Sequence, residues 1–141
     1  MVYLGVDLGA RRVGFAVADD ECPVATVLPL AEVRSPEEAL MAVVRVFQEH
    51  GADVAVLGLP LDLNGHRGLK AREAETFAEK LRAKGLTVEL WDERLTTEEV
   101  RRVMAGAGVS RKDRKGVIDS LAAQRILSSY LAAKSAPGAG Q

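Results

Sequence analysis

Apolar runs punctuated by glycine dominate the first third of the chain, and helical periodicity takes over afterwards. VYLGVDL (2–8) is short and apolar and ends at Gly9. VGFAVAD (13–19) follows after four residues, a spacing that suits an antiparallel hairpin. A third strand lies within ATVLPLAEV (25–33), where Pro29 marks an edge position. Ser35-Pro36-Glu37-Glu38 predicts a helix start, with Ser35 as cap, Pro36 in the first turn and Glu38 completing a capping box. Ala39, Leu40, Val43, Val44 and Phe47 carry its period, and His50-Gly51 closes it. DVAVLGL (53–59) reads as a buried strand and 60–68 as a loop. Residues 69–84 form an amphipathic helix ended by Gly85, and LTVELW (86–91) is the next strand. Thr96 and Glu99 form a second capping box, opening a helix to about Ala105. A final helix is predicted over 115–133, and the tail from 135 carries no element.

The resulting order, β-β-β-α-β-α-β-α-α, predicts an antiparallel meander followed by strands joined through helices, which run parallel with right-handed crossovers. That is an α/β fold with a mixed five-stranded sheet flanked by helices, in one domain over 1–134. The length of 141 residues suits a single core.

Composition narrows the function. Lys+Arg 19 against Asp+Glu 20 leaves a net charge of −1, so nucleic-acid binding would need a local patch. One is present: RRVMAGAGVSRKDRK (101–115) holds Arg101, Arg102, Arg111, Lys112, Arg114 and Lys115 against Asp113 alone, and its glycines suggest a mobile loop between two helices. Arg11 and Arg12 add to it. One cysteine and two histidines argue against a zinc or His-rich metal centre. No apolar run reaches membrane-spanning length and no signal-like segment opens the chain, so a cytoplasmic protein without membrane contact is expected.

Three acidic positions stand out. Asp7 lies near the end of an apolar strand, where a carboxylate needs donors or a cation. Asp92-Glu93-Arg94 follows a strand end, where α/β proteins place ligands. Asp119 falls on the stripe formed by Ile118, Ala122, Ala123, Ile126, Leu127 and Tyr130, with Gln124, Ser128 and Ser120 assigned to solvent. Taken singly, each also fits an ordinary turn or ion-pair role. Converging carboxylates repel, and oxygen-only donors favour Mg²⁺ or Mn²⁺. Such a site suits phosphodiester hydrolysis with two metal ions. Gly5, Gly9 and Gly58 could leave space there for phosphate, and Gly65-His66-Arg67 could contact it.

LGVDLGARRVGFAVAD, VLGLPLDLNG, WDERLTTEEVRR and KGVIDSLAAQRIL, in that order, resemble the YqgF/RuvX family of RNase H-like nucleases over nearly the whole chain. The resemblance implies an RNase H-like fold with strand order 3-2-1-4-5 and Asp7, Glu93 and Asp119 as catalytic carboxylates. Glu93 stands two strands, about 10 Å, from the first, which leaves Asp62 and Asp92 as the alternatives to it. It implies a nuclease maturing the 5′ end of pre-16S rRNA, and a likeness to Holliday junction resolvases. Partners would be structured RNA or branched DNA, with the chain a monomer or homodimer. A nucleic-acid-binding assembly factor without catalysis is the competing reading. An actin-like sugar kinase also begins with a strand such as LGVDLG, but needs two such domains to enclose its nucleotide.

Overall fold

A computed structural model describes residues 1–60, 68–92 and 111–135, with the backbone alone for 111–120 and 135. Strands β1 (Val2–Leu8), β2 (Arg12–Asp19) and β3 (Thr26–Glu32) precede helix α1 (Pro36–Glu49). Strand β4 (Val54–Leu59), helix α2 (Leu69–Ala83), strand β5 (Val88–Asp92) and helix α3 (Arg111–Ser135) complete the described elements. The helix expected over 96–105 lies outside the described residues.

The five strands form one sheet in the order β3-β2-β1-β4-β5. The first two pairings are antiparallel, and β4 pairs in parallel with both β1 and β5. The meander and crossover reading therefore holds. The β1–β2 hairpin is tight: the Gly9 N–H donates to the Arg12 carbonyl at 2.9 Å. A Cβ on Gly9 would lie 2.7 Å from that same oxygen, so the turn excludes any side chain. In the β2–β3 pairing, the step from Val13 to Phe15 spans Ala31 to Leu28 on the partner. The extra residue bulges the edge strand beside Pro29, which cannot donate to a ladder.

Both sheet faces are covered, which explains why β1 and β4 are nearly continuous apolar runs. On one face Leu4, Val6, Val13, Phe15, Ala55 and Leu57 pack beneath α1 and α2. On the other, Tyr3, Ala16, Val54 and Val56 pack beneath Ala123, Ile126, Leu127 and Tyr130 of α3. Ser35 caps α1 by accepting from the Glu38 N–H at 3.2 Å. Gly51 closes that helix at φ +59°, a conformation other residues adopt only under strain.

Two boundaries differ from expectation. Strand β5 starts at Val88 rather than 86, because the buried Leu86 donates its N–H to the Leu81 carbonyl and finishes α2 instead. Helix α3 starts at Arg111 rather than 115, so Arg111, Lys112, Arg114 and Lys115 are helical and do not belong to a loop. Consecutive cations separated by one acidic residue have adequate helix propensity, which the loop reading overlooked.

Candidate active site

The face of β1 under α3 presents Tyr3, Gly5 and Asp7 in succession, by strand alternation. Helix α3 crosses this face in the opposite sense. Tyr130 packs edge-on against Tyr3 with ring centroids 5.9 Å apart, and Lys134 donates to the Tyr3 hydroxyl at 2.8 Å. One step along, the helix touches the strand itself: a Cβ on Gly5 would lie 2.8 Å from both the Ala123 carbonyl oxygen and the Leu127 Cβ. Gly5 is therefore a helix-contact glycine covered by α3, and it leaves no space for phosphate. That corrects the expectation drawn from its position beside Asp7. Gly9 likewise serves the hairpin.

From this contact the two chains advance together. Asp7 lies two residues past Gly5, about 6.6 Å along the strand. Asp119 lies four residues before Ala123, about 6 Å along the helix axis in the same direction. The backbones of Asp7 and Asp119 are thus in matching register at one end of the β1–α3 contact.

Asp7 is half-buried and is paired with Gly14 on β2. One step beyond the last paired residues of β1 and β4, Val6 and Leu57, it stands opposite Gly58, which pairs in turn with Trp91. Glycines therefore flank the carboxylate on both neighbouring strands, and no side chain crowds it from either. Gly58 thus lies beside the carboxylate in the strand register. Gly14 was missed, although hairpin register alone places it opposite Asp7.

Trp91 closes the row. Its indole N–H donates to Ser129 at 3.0 Å and its ring meets Tyr130 edge-on, so it is a packing residue and no stacking platform for bases. Gln124 was assigned to solvent, yet it is half-buried and donates to the Ala25 carbonyl at 2.8 Å, tying α3 to the segment before β3. Arg125 is the exposed residue of that turn.

The other expected site residues are placed unevenly. Asp92 shares the parity of Val88 and Leu90, which belong to the α1/α2 face, so it points away from the Asp7 face. Glu93, Asp62, His66, Arg101 and Arg102 lie outside the described residues. Arg11 is exposed and Arg12 half-buried at the hairpin past Asp7. The described residues contain no group of three or more acidic, His or Cys side chains that could hold a metal ion. Of the three expected ligands, only the side chain of Asp7 is among those described.

Displaced protonation equilibria mark the opposite end of the α3 contact. The Tyr130 phenol is pushed well up, first by burial and then by its hydrogen bond to Glu89. Lys134 is raised by its hydrogen bond to Tyr3. Asp20 is lowered by the amino terminus, 3.1 Å away, and by Tyr3.

A mixed sheet in this order, with helices on both faces and a carboxylate near the end of its central strand, defines an RNase H-like domain. Solved structures share that fold: Thermus thermophilus RuvC with a Holliday junction (TM-score 0.53, 15% identity, 95% of each chain) and the fowlpox virus resolvase with junction DNA (TM-score 0.57, 14% identity, 96% of this chain and 100% of that one). At such identity they establish the fold alone. The sequence profile of the RuvX family, described as Holliday junction resolvase, matches residues 1–133, and the chain belongs to that family. Relatives from Desulforudis audaxviator (39% identical, covering 93% of this chain and 94% of theirs) and Anaeromyxobacter (42%, 93% and 96%) carry the name "Putative pre-16S rRNA nuclease".

Proposed function

We propose that this protein is a divalent-metal-dependent nuclease that hydrolyses phosphodiester bonds in the 5′-end processing of pre-16S rRNA. The observation that carries the reading is Asp7 flanked by Gly14 and Gly58, with the Asp119 turn of α3 in register beside it. The names of full-length relatives near 40% identity supply the substrate class.

Asp7, Glu93 and Asp119 would hold one or two Mg²⁺ or Mn²⁺ ions. The donor chemistry fits, because carboxylates alone suit hard, oxygen-seeking cations. Bound ions supply Lewis-acid activation of the phosphodiester. The chain contributes the rest. Its carboxylates would hold the ions over β1, and the side-chain-free positions 14 and 58 would let the sugar-phosphate backbone come close. Arg11, Arg12, Arg101, Arg102, Arg111, Lys112, Arg114 and Lys115 hold flanking phosphates by charge, which gives affinity without base preference.

The test is cleavage by purified protein with Mn²⁺ or Mg²⁺ across three substrates: a 16S precursor segment with its 5′ extension, a four-way DNA junction and plain single strands. Metal-dependent trimming of the RNA precursor is expected. Selective cutting of the junction would instead establish the resolvase reading, which the family description favours. Tight binding with no cleavage of any substrate would leave an assembly factor.

A further inference from the structure

A groove of about 640 Å³ opens on the α1/α2 side of the sheet edge that carries Asp7. Leu8, Gly9 and Gly58 line it, so it begins at the residue after Asp7 and at the glycine opposite it. Its rim is cationic. Arg34 from the β3–α1 link and Lys70, Arg72 and Lys80 from α2 face a single carboxylate, Glu73. All four cations are exposed, and none forms an ion pair with another described residue. In a chain of net charge −1, four cations against one carboxylate mark a site for anions. The floor is apolar, with Val33 and Phe77 buried beneath it, and Leu69 stands 73% exposed beside it.

These features exclude simpler occupants. A phosphate rail needs no apolar floor, and a duplex is far too wide for a space within the small-ligand range of roughly 300–1,000 Å³. One nucleotide has the right size, an apolar face and an anionic end. We propose that the groove receives one unpaired nucleotide of the nucleic-acid substrate, adjoining the phosphate held at Asp7. The nucleoside lies on the floor beside Leu69, and Arg34, Lys70, Arg72 and Lys80 hold the phosphate. The proposal rests on the nucleic-acid reading of the Asp7 site and narrows its substrate to one with a single-stranded segment at the cut.

Fluorescence anisotropy in chelator, where nothing is cleaved, tests it with two RNA probes: a blunt duplex, and the same duplex with a single-stranded overhang. The wild-type chain is expected to prefer the overhang. The triple variant Lys70→Ala, Arg72→Ala, Lys80→Ala should bind the overhang probe at least ~10-fold more weakly. Its log–log salt slope should be smaller by about 0.7, the share of the one single-strand phosphate these cations hold. Leu69→Glu should abolish the preference while leaving the blunt duplex unaffected. These residues are exposed on α2, so the fold should survive their replacement, which circular dichroism checks. Equal affinity of the wild type for both probes would overturn the proposal, as would unchanged binding by the triple variant or equal weakening of both probes by Leu69→Glu. Failure of the wild type to bind either probe would overturn the nucleic-acid reading as well. Absence of metal-dependent cleavage alongside normal overhang preference would strike only the nuclease reading.

Discussion

The two ends of the β1–α3 contact are built from the same strand face and the same helix, yet they are opposites. At the Tyr3 end everything is filled and paired. Tyr3, Tyr130 and Trp91 pack edge to face, and Lys134, Asp20 and Glu89 bond to the phenols. At the Asp7 end the flanking positions are glycines and the carboxylate has no bulky neighbour on either adjacent strand. Perturbed protonation is often a sign of an active site. Here the perturbed groups described belong to the filled end, where burial and pairing secure the helix. The proposed chemistry belongs instead to the Asp7 end, where both neighbouring strand positions are glycine.

The largest effect should come from the sparse end. Asp7→Asn keeps the shape and removes the charge that a cation requires. Several kcal/mol of transition-state stabilisation should vanish, and each ~1.4 kcal/mol is tenfold, so cleavage should fall at least ~10³-fold. The melting temperature should stay near that of the wild type. Unchanged cleavage would remove Asp7 from the chemistry and erase the contrast between the two ends.

Asp119→Asn asks whether the helix turn beside Asp7 shares its character. If carboxylates crowd there without compensating cations, removing one charge relieves repulsion, and the metal-free protein should be as stable or more so. If Asp119 is instead half of a buried ion pair, the loss should be about 3–5 kcal/mol. Denaturant titrations in chelator decide between these outcomes.

Much of this contrast was legible in the sequence, and the failures have physical reasons. Strand runs such as VYLGVDL and VAVLGL are apolar because both faces are covered, so they were read nearly to the residue. The order of the strands came from the resemblance to relatives, since pairing between distant segments leaves no local trace. Gly5 was misread because its reason is the approach of Ala123 and Leu127, more than a hundred residues away. Gly14 opposite Asp7 was recoverable, because a hairpin turning over 9–12 fixes every pairing above it. Gln124 defeated the helical wheel, which knows the core but cannot know that the Ala25 carbonyl lies within reach. The groove between α1 and α2 had only the cations Lys70 and Arg72 as a sequence signal, and nothing local reveals a space between two helices.

Gly5 sits between the two ends, and Gly5→Ala should disturb both. The new methyl would meet a backbone carbonyl and a Cβ at 2.8 Å, and neither can swing aside. The helix must lift from the strand, at a cost of about 1–3 kcal/mol for overpacking. Lifting also shifts the Asp119 turn relative to Asp7, so cleavage should drop by more than the stability loss alone explains. Melts and metal-dependent cleavage measured on the same preparation test this. Normal stability would mean the close approach at Gly5 does not hold the two ends in register.

The smallest effect belongs to the filled end. Tyr130→Phe removes a hydroxyl that donates to Glu89 and leaves the ring contacts with Tyr3 and Trp91 in place. Glu89 is exposed and regains water, so the cost should be about 1 kcal/mol, with cleavage unchanged. The pH dependence gives a finer reading. The native phenol is held above its ordinary value near 10, so between that value and its native one the unfolded chain has lost a proton that the folded chain keeps. That contribution to stability is fully present below about pH 10 and is lost as pH rises toward the native pKa. Lys134, also raised, acts in the same direction, because the folded chain keeps its proton longer than the unfolded chain does. The wild type should therefore lose stability on the alkaline side, and Tyr130→Phe should flatten that decline without abolishing it. An identical alkaline slope in both proteins would show that the Tyr130 phenol is not held up in solution, and the filled end would then rest on ring packing and the remaining bonds of Tyr3 and Trp91.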